Sequence, residues 1–147
     1  MKKYEMKKQA ATRKIAGVLA VILVLAGAAG CASAKLSDDF DKETVETAAK
    51  EVVDQLNTGD YAAIEEAFNA TMTIAMQGQK LQDTLQPILD KLGEFEEISN
   101  CEVVGSKAQD TKEDLAVALI NVKYAEGKVR YTISFDKDMK LAGLFIK

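Results

Sequence analysis

The sequence predicts an α+β domain, with helices first and an antiparallel sheet of about four strands after them. Three observations predict it. Up to Gly93 the apolar residues of the domain recur at steps of three and four, the repeat of an amphipathic helix. From Glu94 onward they recur at steps of two, the repeat of a half-buried strand. The alternating runs are joined by short turns, too short for a parallel crossover, so consecutive strands run antiparallel.

The first helix carries Val45, Ala48, Ala49, Val52, Val53 and Leu56 as one stripe. Asp38 or Asp39 is expected to cap its start, and Asn57-Thr58-Gly59 to stop it. Asp60 then caps a short helix whose inward residues are Tyr61, Ile64 and Phe68. Thr71 to Met76 reads as a helical turn presenting Met72 and Met76 inward, with Gly78 as its breaker. A further helix carries Leu81, Leu85, Ile88, Leu89 and Leu92 and ends at Gly93. Pro87 lies inside that pattern and predicts a kink or a split near Gln86, because proline lacks the backbone donor and its ring clashes with the preceding turn.

Phe95 to Gly105 is a long and irregular first strand. Leu115 to Tyr124 is the second, with Ala118, Ile120, Val122 and Tyr124 on one face. A tight turn at Glu126-Gly127 leads to the cleanest alternation, Val129, Tyr131, Ile133 and Phe135. Asp136-Lys137-Asp138 turns the chain into a last strand, Met139 to Ile146. The apolar face of this meander needs a cover, and the helices supply it. On the opposite face the alternation places Val117 and Leu119, and the same reading puts Leu144 and Ile146 there. If these four cluster on an exposed surface, they mark an interaction surface. The exposed edge at Phe95 to Gly105 could accept a partner strand.

Ahead of the domain stands an export signal. Residues 1–14 carry six positive charges against one negative, and Ile15 to Ala29 is uncharged. The run Leu25-Ala26-Gly27-Ala28-Ala29-Gly30-Cys31 resembles a bacterial lipoprotein signal, with Ala28 where leucine is usual. The resemblance implies cleavage after residue 30 and a diacylglyceryl lipid on the Cys31 thiol. Two acyl chains give stable anchoring where one gives marginal binding. It therefore implies a cell-membrane lipoprotein on the extracytoplasmic face, held by its lipid. Three segments follow: 1–30 signal peptide, 31–39 lipid anchor and tether, 40–147 domain. The competing reading is an uncleaved span, since Ile15 to Ala34 is twenty residues without a charge.

Beyond residue 30 there are 13 basic and 22 acidic side chains, a net charge of −9. That argues against nucleic acid as a partner, because phosphate backbones reward positive surface. The chain has no histidine, which excludes Ser-His-Asp and Cys-His catalysis in their usual form and removes the commonest zinc ligand. Neither a metal nor a cofactor is expected, apart from the covalent lipid on Cys31. With Cys31 assigned to lipid, Cys101 has no disulfide partner and reads as a buried core thiol.

The domain resembles the nuclear-transport-factor-2-like (cystatin-like cone) superfamily, and within it a family of domains found in Gram-positive lipoproteins. The stretches that carry the resemblance are Leu56-Asn57-Thr58-Gly59-Asp60-Tyr61-Ala62-Ala63-Ile64, Leu85 to Phe95, Lys123 to Val129, Ile133 to Asp136 and Leu141 to Leu144. It implies a curved sheet wrapping the helices, often an apolar pocket between them, and often a homodimer through the sheet face. Here that pocket would be lined by Tyr61, Phe68, Met72, Met76, Tyr124, Tyr131 and Phe135; the alternative is that these side chains simply fill the core of a small domain.

Some members of the superfamily isomerise or dehydrate small molecules, which needs a carboxylate base and a donor facing a developing oxyanion. Tyr61, Tyr124 and Tyr131 could donate. The matching acid is missing: Asp60 reads as a cap, Glu65 and Glu66 flank the inward stripe, and Asp136 and Asp138 belong to a turn. The expectation is a non-enzymatic binding or protein-interaction module.

Overall fold

The computed structural model describes residues 34–77 and 80–147. The expected signal peptide, the lipidated Cys31 and the Gly78 breaker lie outside the described residues. Among the described residues there are four helices, α1 (Lys42–Thr58), α2 (Tyr61–Glu66), α3 (Ala70–Ala75) and α4 (Leu81–Leu92). Four strands follow, β1 (Phe95–Lys107), β2 (Asp114–Tyr124), β3 (Gly127–Phe135) and β4 (Leu141–Ile146). The strands form one antiparallel sheet in the order β1-β2-β3-β4. The helices pack on one face of it, and the core lies between the two layers.

Each helix begins where a side chain replaces a missing backbone acceptor. For α1 that residue is Asp41, whose Oδ1 accepts from Thr44 N at 2.8 Å, not Asp38 or Asp39. The start is displaced because residues 37–40 close a turn, Phe40 N to Ser37 O at 3.1 Å, that buries the Phe40 ring. Asp39 pairs instead with Lys137 at 2.9 Å. Asp60 caps α2 and Asn69 caps α3. Lys80 has no cap to offer α4, and Glu65 Oε1 reaches across from α2 to accept from Leu81 N at 3.1 Å. Helix α1 ends on Gly59, whose φ of 77° is a left-handed conformation that a Cβ would strain. Pro87 does not split α4, which runs unbroken through it.

Two register findings correct the sequence reading. The last strand starts at Leu141 rather than Met139, because Met139 has φ 55° and closes the turn by donating to Asp136 O. The pairing is also irregular between Ser134 and Phe135, which sets Leu144 opposite Ile133 and Ile146 opposite Tyr131. Opposed residues share a face, so Leu144 and Ile146 are core residues and not outer ones. Val117 and Leu119 do lie on the other face, opposite Ser134 and Thr132. Val117 is buried and Leu119 half-buried. The expected cluster of four exposed apolar residues does not form.

The segment expected to be a free tether is partly built into the fold. Gly105 N donates to Ala34 O at 2.8 Å, and Leu36 packs against the core. The approach is so close that a Cβ on Gly105 would sit 2.3 Å from Lys35 O. Cys101 is half-buried at the edge of the core rather than inside it, and burial pushes its thiol pKa up.

Candidate functional site

Six of the seven residues expected to line an apolar pocket are buried in the core cluster: Tyr61, Met72, Met76, Tyr124, Tyr131 and Phe135. Phe68 is half-buried and lies past the end of α2, where it forms a parallel bridge with Leu141. None of the seven lines either of the two best-formed depressions among the described residues, and both depressions are open to solvent.

The three tyrosines do meet. The hydroxyls of Tyr124 and Tyr131 are 2.6 Å apart inside the core. Burial raises both phenol pKa values, and either hydroxyl can donate in the bond between them. The Asn57 side chain acts on the Tyr124 phenol to lower its pKa. Tyr61 donates to Gln86 Oε1 at 2.9 Å, and Gln86 Nε2 donates to Asp90 Oδ1 at 2.7 Å. Burial and the Asp90 charge raise the Tyr61 phenol pKa. One polar line therefore runs outward from the tyrosines, from Tyr61 through Gln86 to Asp90.

It ends at the larger depression, about 710 Å³, lined by Leu56, Asn57, Thr58, Gly59, Gln86, Leu89, Asp90, Gly93, Glu94 and Phe95. It is built where the last turn of α1, the last turn of α4 and the first residue of β1 come together. Phe95 stands 39% exposed on its rim, and its ring meets Tyr124 edge-on at 6.0 Å between centroids. Sequence reasoning missed this set. Asn57 and Gly93 were legible only as helix stops, and Glu94 only as the point where the apolar repeat changes to two. The i,i+4 spacing of Gln86 and Asp90 was the one available sign that they could bond. The smaller depression, about 550 Å³, lies on the sheet among Ser99, Asn121, Val122, Lys128, Val129, Arg130 and Lys147.

Among the described residues no three histidine, cysteine or acidic side chains gather as a metal site, and no helix is long and apolar enough to cross a membrane. Asp136 is spent on its turn, where Oδ1 accepts from Asp138 N and Lys140 N.

No curated protein matches the chain. A solved structure does: the NMR structure of a protein from Ruminococcus gnavus ATCC 29149, 31% identical, with a TM-score of 0.62. The match covers 75% of this chain and 94% of that one. The family model described as "Protein of unknown function (DUF3887)" matches residues 49–144, which takes in nearly all of α1 through β4. The match spans well over half of the chain, and the chain belongs to the DUF3887 family.

Proposed function

We propose that the chain is an exported lipoprotein, anchored through Cys31, whose nuclear-transport-factor-2-like domain is a non-enzymatic binding module with the Asn57–Asp90–Phe95 depression as its ligand face. One observation carries the reading. The chain enters the fold at Ala34, against Gly105 near the end of β1, while the depression opens at Phe95, the other end of that strand. Nine strand residues lie between Gly105, at the membrane-side entry, and Phe95, at the ligand face, a distance of about 30 Å at the rise of an extended chain. Only Ala32 and Ser33 intervene between Cys31 and the docked Ala34. A lipid on Cys31 would hold the β1–β2 end near the bilayer and turn the depression away from it.

The engagement of the tyrosines supports binding over catalysis. Tyr124 and Tyr131 bond each other and Tyr61 bonds Gln86, so each candidate oxyanion donor already has a structural partner. The helices-then-meander order supports the superfamily assignment.

Intact-mass analysis of the membrane-extracted protein tests the anchor. The expected species begins at Cys31 and carries the diacylglyceryl mass, and Cys31→Ser retains residues 1–30. Recovery of the unsubstituted protein with residues 1–30 attached would sink the lipoprotein reading and leave a spanning segment in its place.

A further inference from the structure

We propose that the depression at the Phe95 end binds a positively charged group, an alkylammonium or guanidinium, carried on a small ligand. The inference rests on the depression being the ligand face and names the chemistry it selects.

Four features of the lining point the same way. Two helices end there, α1 at Leu56–Gly59 and α4 at Leu89–Gly93, and a helix C-terminus presents the negative end of its dipole. The last turn of α1 holds no basic residue to answer it, and Lys91, in the last turn of α4, does not line the depression. Second, the lining includes two carboxylates, Asp90 and Glu94, and no lysine or arginine. Among the described residues neither carboxylate takes part in an ion pair, whereas Glu96, two residues away, is engaged by Lys123.

Third, the Asp90 carboxylate is held in place from inside the protein. Buried Tyr61 fixes Gln86, and Gln86 fixes Asp90 Oδ1, so the carboxylate that lines the depression is tied to the core. An exposed side chain ordinarily loses rotamer freedom when it pairs, and this relay removes part of that cost in advance. Fourth, Phe95 adds an exposed aromatic surface beside the carboxylates, and an aromatic face attracts a cation and shields its alkyl flank. The net charge of −9 draws cations to the surface in general; the relay and the ring give this place a geometry that the rest of the acidic surface lacks.

The test is a titration of the full-length chain in a polyoxyethylene detergent with spermidine, followed by amide proton–nitrogen correlation spectra. N-acetylglucosamine serves as the neutral probe. Saturable shifts are expected at Asn57, Gly59, Asp90, Gly93, Glu94 and Phe95, weakening as ionic strength rises. Asp90→Asn keeps the acceptor for Gln86 and removes only the charge; it should weaken spermidine by about fivefold, the upper range of an exposed ion pair. Tyr61→Phe, which frees Gln86, should weaken it by about twofold with the spectrum otherwise that of a folded chain. Shifts scattered over the acidic surface and unchanged by Asp90→Asn would overturn the proposal. Shifts at these residues with N-acetylglucosamine and none with spermidine would overturn the cationic class while keeping the depression as a ligand face. Silence at these residues with both probes would overturn the class and the ligand face together.

Discussion

Tyr124 and Tyr131 sit on neighbouring strands and join their hydroxyls at 2.6 Å beneath the helices, so that each satisfies a polar group the core would otherwise leave stranded. Removing one side of this bond should cost more than removing both. Tyr131→Phe should destabilise the domain by about 1–3 kcal/mol, the range for leaving a buried polar group short of a partner. Tyr124→Phe combined with Tyr131→Phe should cost clearly less than the two single changes together. A double-mutant cycle by urea unfolding checks this, and additivity of the two changes would contradict it.

The same burial makes the domain sensitive to alkali. The phenols of Tyr61, Tyr124 and Tyr131 are all raised above the ordinary tyrosine value in the folded state. A raised pKa means the folded chain holds its protons where the unfolded chain releases them. The contribution is therefore complete below the unfolded value, about 10, and is lost as pH climbs above it. Thermal melts across the alkaline range should show Tm steady up to that value and falling steeply beyond it. Tyr131→Phe should flatten the fall.

Gly105 is the point where the entering chain touches the sheet. Gly105→Ala would push its methyl to within 2.3 Å of Lys35 O, and backbone atoms cannot swing aside as a flexible side chain can. The expected result is a loss of about 1–3 kcal/mol, as for other overpacked sites. It should come with faster hydrogen exchange at Gly105, whose amide donates to Ala34 O. A variant with unchanged stability and unchanged exchange would show that the Ala34–Leu36 segment is not docked as described.

Pro87 sits at an exposed position inside an unbroken α4. Restoring the backbone donor with Pro87→Ala should raise stability, by about 1–3 kcal/mol given the helix-interior cost of proline. Urea unfolding of the variant measures it, and a fall in the midpoint would mean that the helix draws support from the ring.

Much of the fold was legible without coordinates. The apolar steps of three and four gave α1 and α4 within a few residues, and the steps of two gave β2 and β3 almost to their ends. These signals are local: a helix or a strand must place its apolar side chains at its own period whatever it packs against. Capping was less legible. Asp38, Asp39 and Asp41 are equally good acceptors by type, and only the turn that buries Phe40 selected Asp41.

The site was the least legible part. Its lining comes from the ends of two helices and the start of a strand, segments that read separately as stop signals and the opening of a strand. The tyrosines were picked out as a group, but as the wall of a pocket; packing closed the space around them and turned their hydroxyls on one another and on Gln86.

The sequence by itself determined the order of the elements, the inward faces of α1, α4, β2 and β3, and the absence of histidine chemistry, because each follows from composition or from a repeat within one segment. Only the tertiary structure decided which way β4 faces. Strand side chains alternate, so one irregularity opposite Phe135 moved Leu144 and Ile146 from the outer face into the core. Only the tertiary structure, too, set Tyr61 against Gln86 and so tied Asp90, on the wall of the depression, to the core, since a bond between α2 and α4 exists only once both helices have packed on the sheet.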